Sequence, residues 1–262
     1  IYPESFEEKV GFDRIRKKVV DLCLCSLGRQ KAEEANFSSS YSLINLQIEQ
    51  TAEMKNICIL EDSFPVDGYS DPTTFLERIK HEGSWMDENE MFALRRSLDT
   101  IKALLSFLKR GEKPKYPHLA MLAKDVDYFP YVADRIDTIL NRFGKIKDNA
   151  SPELARIRSE IAAKQASISK RISAILRSAQ AEGIVEGDTT TSIRDGRIVI
   201  PVSAANKRKL KGIIHDESAT GKTVFIEPVE VVEINNEIRE LEYDERREII
   251  RILIEFADNI RP

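Results

Sequence analysis

From Ser151 to Glu182, apolar residues return every three or four positions, at Leu154, Ile157, Ile161, Ile168, Ile172, Ile175 and Ala179, with Lys164 breaking the series. That period is one face of an α-helix. Ser151 can cap its free N–H groups, and Pro152 suits the first helical position, where no N–H is missed. A second stripe without Gly or Pro runs from Val229 through Val231, Ile234, Ile238, Leu241, Ile249, Leu253, Phe256 and Ile260. At about 1.5 Å per residue, each helix spans roughly 45–50 Å. Two stripes of equal length joined by a compact insert pack most simply as an antiparallel pair, a lever arm carrying a small domain at its end.

The insert, 187–228, holds four short runs rich in Thr, Ile and Val, around 190–194, 197–202, 212–215 and 223–226. The first two are joined by Asp195-Gly196, a pair that tolerates the positive φ values of a type I′ hairpin turn. It reads as a small antiparallel sheet. Before the arm come shorter amphipathic segments. Residues 13–27 are expected as one helix carrying Ile15, Val19, Leu22 and Leu27, with Gly28 interrupting or ending it. Further helices are expected at 43–61, from Asp71-Pro72 to near Gly83, and at 86–110, 117–124 and 130–142, with turns at 64–68 and 111–117. The predicted class is therefore mainly α: a helical core over 1–144, an outgoing lever helix in 145–186, a β clamp at 187–228 and a returning lever helix from 229 to 262. The chain opens at Ile1 without Met and reaches Pro262 before its last stripe has ended, so both ends read as cut from something longer.

Composition narrows the function classes. At 262 residues, core size is no limit. A formal net charge of −4 argues against a uniformly basic nucleic-acid binder and leaves room for a local basic patch. Cys23, Cys25 and Cys58 are odd in number and no signal peptide is visible, which fits reduced thiols in a cytoplasm. Cys23-x-Cys25 has no second Cys or His cluster to complete a metal site, and reads as part of a core helix. No apolar run approaches the ~18 residues of a membrane span, so no membrane partner is expected.

Candidate chemistry is sparse in the core. His81 and His118 read as surface residues, Glu88 and Glu90 as solvated carboxylates, and Trp85 as a packing group. No catalytic residue, metal ligand or cofactor site is expected. Gly221-Lys222-Thr223 matches the end of a phosphate-binding loop, but the full signature needs glycine at 216, where Asp216 stands, and a strand follows instead of a helix. It reads as a turn. Lys207, Arg208, Lys209 and Lys211 put four cations into five residues, and Arg194, Arg197 and Lys222 lie in the same insert. Seven basic residues there face five acidic ones, Asp188, Asp195, Asp216, Glu217 and Glu227. An exposed cluster of this kind suits phosphate binding without sequence readout; a solvated loop that keeps the insert soluble is the equal alternative.

The runs 194–202, 211–218 and 221–228 resemble the clamp of MutS-family proteins, most nearly the MutS-two branch. Asn235-Asn236-Glu237-Ile238-Arg239, Ala150-Ser151-Pro152-Glu153-Leu154, Phe12-Asp13-Arg14-Ile15 and Leu27-Gly28-Arg29 look like that branch too. The resemblance covers essentially the whole chain. It implies a homodimeric protein with a helical core, lever helices and β clamp, followed by an ATPase domain and in some members a nuclease domain. No residue here matches the motifs of those two domains, so ATP, Mg and nuclease chemistry are expected only in the missing parts. The implied partners are DNA, duplex or branched, or ribosomal RNA, and the implied roles are restraint of homologous recombination or rescue of collided ribosomes. The alternative is a protein–protein scaffold arm that does not touch nucleic acid.

Overall fold

The computed structural model describes residues 5–65, 67–111 and 113–261; the chain ends, Val66 in an expected turn, and Glu112 lie outside them. Its class is the expected one, mainly α with a small antiparallel sheet. The order is α1 (Phe6–Lys9), α2 (Phe12–Leu22), α3 (Ser26–Glu33), α4 (Tyr41–Leu60), α5 (Thr73–Ile79), α6 (Glu88–Leu108), α7 (Pro117–Leu122), α8 (Pro130–Ile139), α9 (Pro152–Ala181), β1 (Ser192–Arg194), β2 (Arg197–Ser203), a 3-10 turn at Ala204–Asn206, β3 (Gly212–Glu217), β4 (Thr223–Pro228) and α10 (Val229–Ile260). Two compact units result: Asp148–Ile252, and Ile1–Lys147 with Leu253–Pro262.

Local chemistry sets most boundaries in the second of these, the body. Ser40 accepts from Leu43 N–H at the start of α4, and Pro117 and Pro130 open α7 and α8. Asp87 and Glu90 form a reciprocal capping box at the start of α6, each side chain accepting the other's backbone N–H at 2.9 Å. Glu90 also pairs with Arg78, while Glu88 accepts from Ile146 N–H at 3.2 Å and Lys145 at 3.3 Å. Neither carboxylate is merely solvated, because their partners come from distant or capping positions that spacing does not reveal. His118 likewise is not plain surface: its Nδ1 lies 2.8 Å from Glu53, whose carboxylate also accepts from the N–H groups of His118 and Leu119. Burial pushes Glu53 up, but these bonds outweigh it and hold its pKa below the ordinary value. Phe107 centres a small core with Ile57 and Tyr116, the Tyr116 ring stacked on it at 6.0 Å and Phe64 edge-on at 5.2 Å.

The expected single helix over 13–27 is two. α2 stops at Leu22, Cys23 is extended, and Cys25 caps α3 with its sulfur accepting from Gly28 N–H at 3.4 Å. Gly28 is therefore inside a helix, and the cysteines lie in a link and not on a core-facing helix. The apolar spacing from Val19 through Leu27 runs across the break and hides it.

In the unit Asp148–Ile252, the two long helices pair antiparallel. Ser151 Oγ donates to Glu248 at 2.6 Å, Arg158 meets Glu245 at 2.7 Å, Lys164 meets Glu237 at 2.5 Å, and Arg171 reaches the Glu230 carbonyl at 3.4 Å. Partners descend along α10 as they ascend along α9. The strands lie in the order β1-β2-β4-β3, all antiparallel, with Ile200 opposite Ile226 and Val202 opposite Val224. Asp195 and Gly196 take φ values of 49° and 75°, as a type I′ turn requires. Ile200, Val202, Val224 and Ile226 join one buried cluster with Ile168, Ile172 and Ala179 of α9 and Val231 and Ile238 of α10. Sheet and helix pair thus share a single hydrophobic core. Ser151 both caps α9, accepting from Leu154 N–H at 3.0 Å, and ties it to α10. Replacing Ser151 with Ala should lower stability to urea by about 1–2 kcal/mol; an unchanged midpoint would remove the cap from the account.

Candidate nucleic-acid interface

Strand alternation turns Arg197, Phe225 and Glu227 away from Ile200, Val224 and Ile226. Glu227 has no solvent exposure, yet it is charged and fully engaged. Arg197 Nη1 donates to both its oxygens at 2.8 Å, Asn235 Nδ2 donates at 2.5 Å, and His215 Nε2 lies 2.6 Å away. Arg197 also donates through Nη2 to Asn236 at 2.6 Å. Burial alone pushes Glu227 up; the bonds from Asn235, His215 and Arg197, with the Arg197 charge, outweigh it and hold its carboxyl below 4.5. The network joins β2, β3, β4 and α10 around one carboxylate.

This geometry sorts the seven cations singled out from the sequence. Arg197, with a side chain only 12% exposed, is built into the network. Arg194 lies over the Phe225 ring, 3.9 Å from its centroid, and binds Asp216 at 3.0 Å. Lys207, Arg208, Lys209, Lys211 and Lys222 are exposed, and none of them has an ion pair among the described residues. Sequence reading missed Glu227, His215, Asn235 and Asn236 as a group, and also Arg239, whose Nη2 donates to the Asp195 carbonyl at 2.7 Å and holds the hairpin turn from α10.

Four of the five free cations lie on the β2–β3 connection, which must cross β4 because β4 sits between those strands. The connection starts where Ala204 N–H donates to the Lys222 carbonyl, beside the β3–β4 turn, and ends where Val229 N–H donates to the Lys211 carbonyl. Those points flank opposite ends of β4, about 20 Å apart at ~3.3 Å per residue. Leu210 packs into the shared core and Asn206 Nδ2 binds the Ile184 carbonyl at 3.0 Å, so the segment is anchored along its length. The charges are strung along the sheet. Lys222 itself sits in a turn: Gly221 has φ 65°, its N–H donates to the Ser218 carbonyl, and Thr223 N–H binds Ser218 Oγ. These donors are turned inward, as the strand that follows demands, and do not form a phosphate cradle.

The helices differ in charge. From Ile161 to Ala181, α9 carries Lys164, Lys170, Arg171 and Arg177 and no acidic residue. From Val229 to Glu248, α10 carries eight acidic residues (Glu230, Glu233, Glu237, Glu240, Glu242, Asp244, Glu245, Glu248) against Arg239, Arg246 and Arg247. Only the α9 flank can face a polyanion without repulsion. The corner with Glu182, Glu186 and Asp188 separates that flank in sequence from the crossover. Among the described residues no group of three or more His, Cys, Asp or Glu could hold a metal ion, and no helix is long and apolar enough to cross a membrane.

An antiparallel helical arm sharing its core with a four-stranded head, which bears an anchored basic crossover, is the architecture of a lever-and-clamp protein. No protein-family model matches the chain. Curated relatives do: the protein named Endonuclease MutS2 from Alkaliphilus oremlandii is 32% identical over 247 residues, 94% of this chain and 31% of that protein. The protein of the same name from Alkaliphilus metalliredigens is 31% identical over 250 residues, 95% of this chain and 31% of its own length, and that from a Geobacillus species 32% over 248, 94% and 31%. Over nearly its whole length the chain is similar to the MutS2 branch of the MutS family, and it spans about a third of the length of the curated relatives it matches.

Removing Glu227 would leave the Arg197 guanidinium buried and unpaired. Glu227→Ala should therefore destabilise the unit by about 3–5 kcal/mol, the usual cost of breaking a buried pair from one side. Because the folded pKa is depressed, the carboxylate's contribution is present above pH 4.5 and lost as the pH falls through the lower folded value. The difference between the urea midpoints of wild type and Glu227→Gln should be full at neutral pH and shrink as the pH falls below the ordinary carboxylate value and through the depressed folded one. Equal midpoints at neutral pH would show that the charge contributes nothing.

Proposed function

We propose that this chain is the core, lever and clamp of a MutS2 protein that grips nucleic acid through the phosphate backbone, with Lys207, Arg208, Lys209, Lys211 and Lys222 as the cations that meet it. One observation carries the reading: these five are exposed and, among the described residues, without ion pairs, on a head whose strand arginines, Arg194 and Arg197, are occupied by Phe225, Asp216 and Glu227. Cations left free along an anchored segment attract phosphates without reading bases. Arg194 and Arg197, on this reading, shape the head and do not touch the ligand.

The ligand is DNA, duplex or branched, or ribosomal RNA, and the biological role is restraint of recombination or rescue of stalled ribosomes. Two arms of a homodimer enclose it. On this reading, the nuclease activity in the relatives' printed name, and any ATP and Mg chemistry, belong to other parts of such a protein. The chain acts in the cytoplasm as the gripping part of that larger enzyme.

Fluorescence anisotropy with duplex DNA, branched DNA and structured RNA over a salt series tests this. Changing Lys207, Arg208, Lys209 and Lys211 to Ala should weaken binding to every ligand. On duplex DNA it should also flatten the log–log salt slope by about 0.9 for each phosphate that is no longer neutralised. Lys170→Glu with Arg177→Glu on α9 should weaken binding further, whereas Glu233→Lys on α10 should leave it nearly unchanged. Binding at low salt that ignores the four-fold change would sink the assignment and favour a protein partner for the head.

A further inference from the structure

Cys23 and Cys25 lie in the link between α2 and α3, both half-buried, with their sulfurs converging on Gly28. A methyl group added at Gly28 would lie 3.7 Å from each of them. The convergence follows from the backbone: both cysteines are extended, with φ and ψ of −70° and 134°, and −139° and 164°, and side chains two apart in extended chain share a side. Their Cα atoms are about 6.6 Å apart for two rises of ~3.3 Å, near the upper limit of the ~4.4–6.8 Å that a disulfide spans, and the chain bends at Leu24 and Cys25, which shortens it. Among the described residues no third His, Cys, Asp or Glu is grouped with them as a metal ligand.

We infer that Cys23 and Cys25 form a redox dithiol that exchanges with small-molecule disulfides and closes into a reversible bridge. One cysteine thiolate attacks the external disulfide; its S–S bond breaks, one thiol leaves and a mixed disulfide forms. The other cysteine thiolate attacks the protein sulfur of that mixed disulfide and expels the second thiol. Two electrons pass from the cysteine pair to the external disulfide, and the two cysteine protons are balanced by those on the departing thiols. A bridge across so short a span is strained and therefore easily reduced, as suits a reversible state over a structural one. Closing it stiffens the link beside α2, whose Ile15, Val19 and Leu22 are exposed.

Exposed Cys58 supplies an internal standard. The native chain is equilibrated with increasing ratios of oxidised to reduced glutathione, alkylated, digested with trypsin and weighed; both cysteines fall on the peptide 19–29, between Lys18 and Arg29. At the ratio where half of Cys58 carries glutathione, most of peptide 19–29 should be two hydrogens lighter, without glutathione or alkyl groups. Two alkylated thiols, or glutathione retained as the end product, would overturn the inference. Cys25→Ser should convert the outcome to a glutathione adduct on Cys23; the same adduct level in wild type would show that the pair does not act together.

Discussion

A carboxylate with no access to water organises the head. An isolated buried charge is too costly to keep, so Glu227 survives there only because Arg197, His215 and Asn235 surround it. Each donor comes from a different element, and Asn236 steadies the arginine from the other side. The interaction therefore fixes how β2, β3 and β4 meet α10, where apolar packing alone would specify less. It also divides the positive charge of the head into two kinds. Arginines at strand positions are used internally; lysines and Arg208 on the crossover and turn remain available.

The arm was legible because its period is long and unbroken, and the hairpin because Asp195-Gly196 suits few other conformations. The sheet order was not. Nothing in the runs around 212–215 and 223–226 states that β4 lies between β2 and β3, so nothing states that the basic run must cross it. For the same reason Arg197 looked like its exposed neighbours: its partner is Glu227, thirty positions away, and only strand register joins them. Asn235 and Asn236 stand out in the sequence through resemblance alone; the reason for amides at those places is the charge they meet. The helix break at Cys23 was masked by apolar spacing that continues through it.

The anchoring of the crossover changes what its cations can do. A loose loop must lose conformational freedom to meet a ligand, whereas Leu210 in the core and Asn206 on the Ile184 carbonyl have already fixed most of this backbone. Only the lysine and arginine side chains remain to be ordered.

The unequal charging of α9 and α10 has a further consequence for the approach to a ligand. Basic along α9 from Ile161 to Ala181 and acidic along α10 from Val229 to Glu248, the arm carries a dipole across its width there. In the field of a polyanion such a body feels a torque as well as an attraction, and turns before it touches. That field extends only about a Debye length, roughly 8 Å at physiological ionic strength. Orientation and capture would then occur in the same last few ångströms, and the acidic edge would act as a rudder that makes the wrong face slow to land.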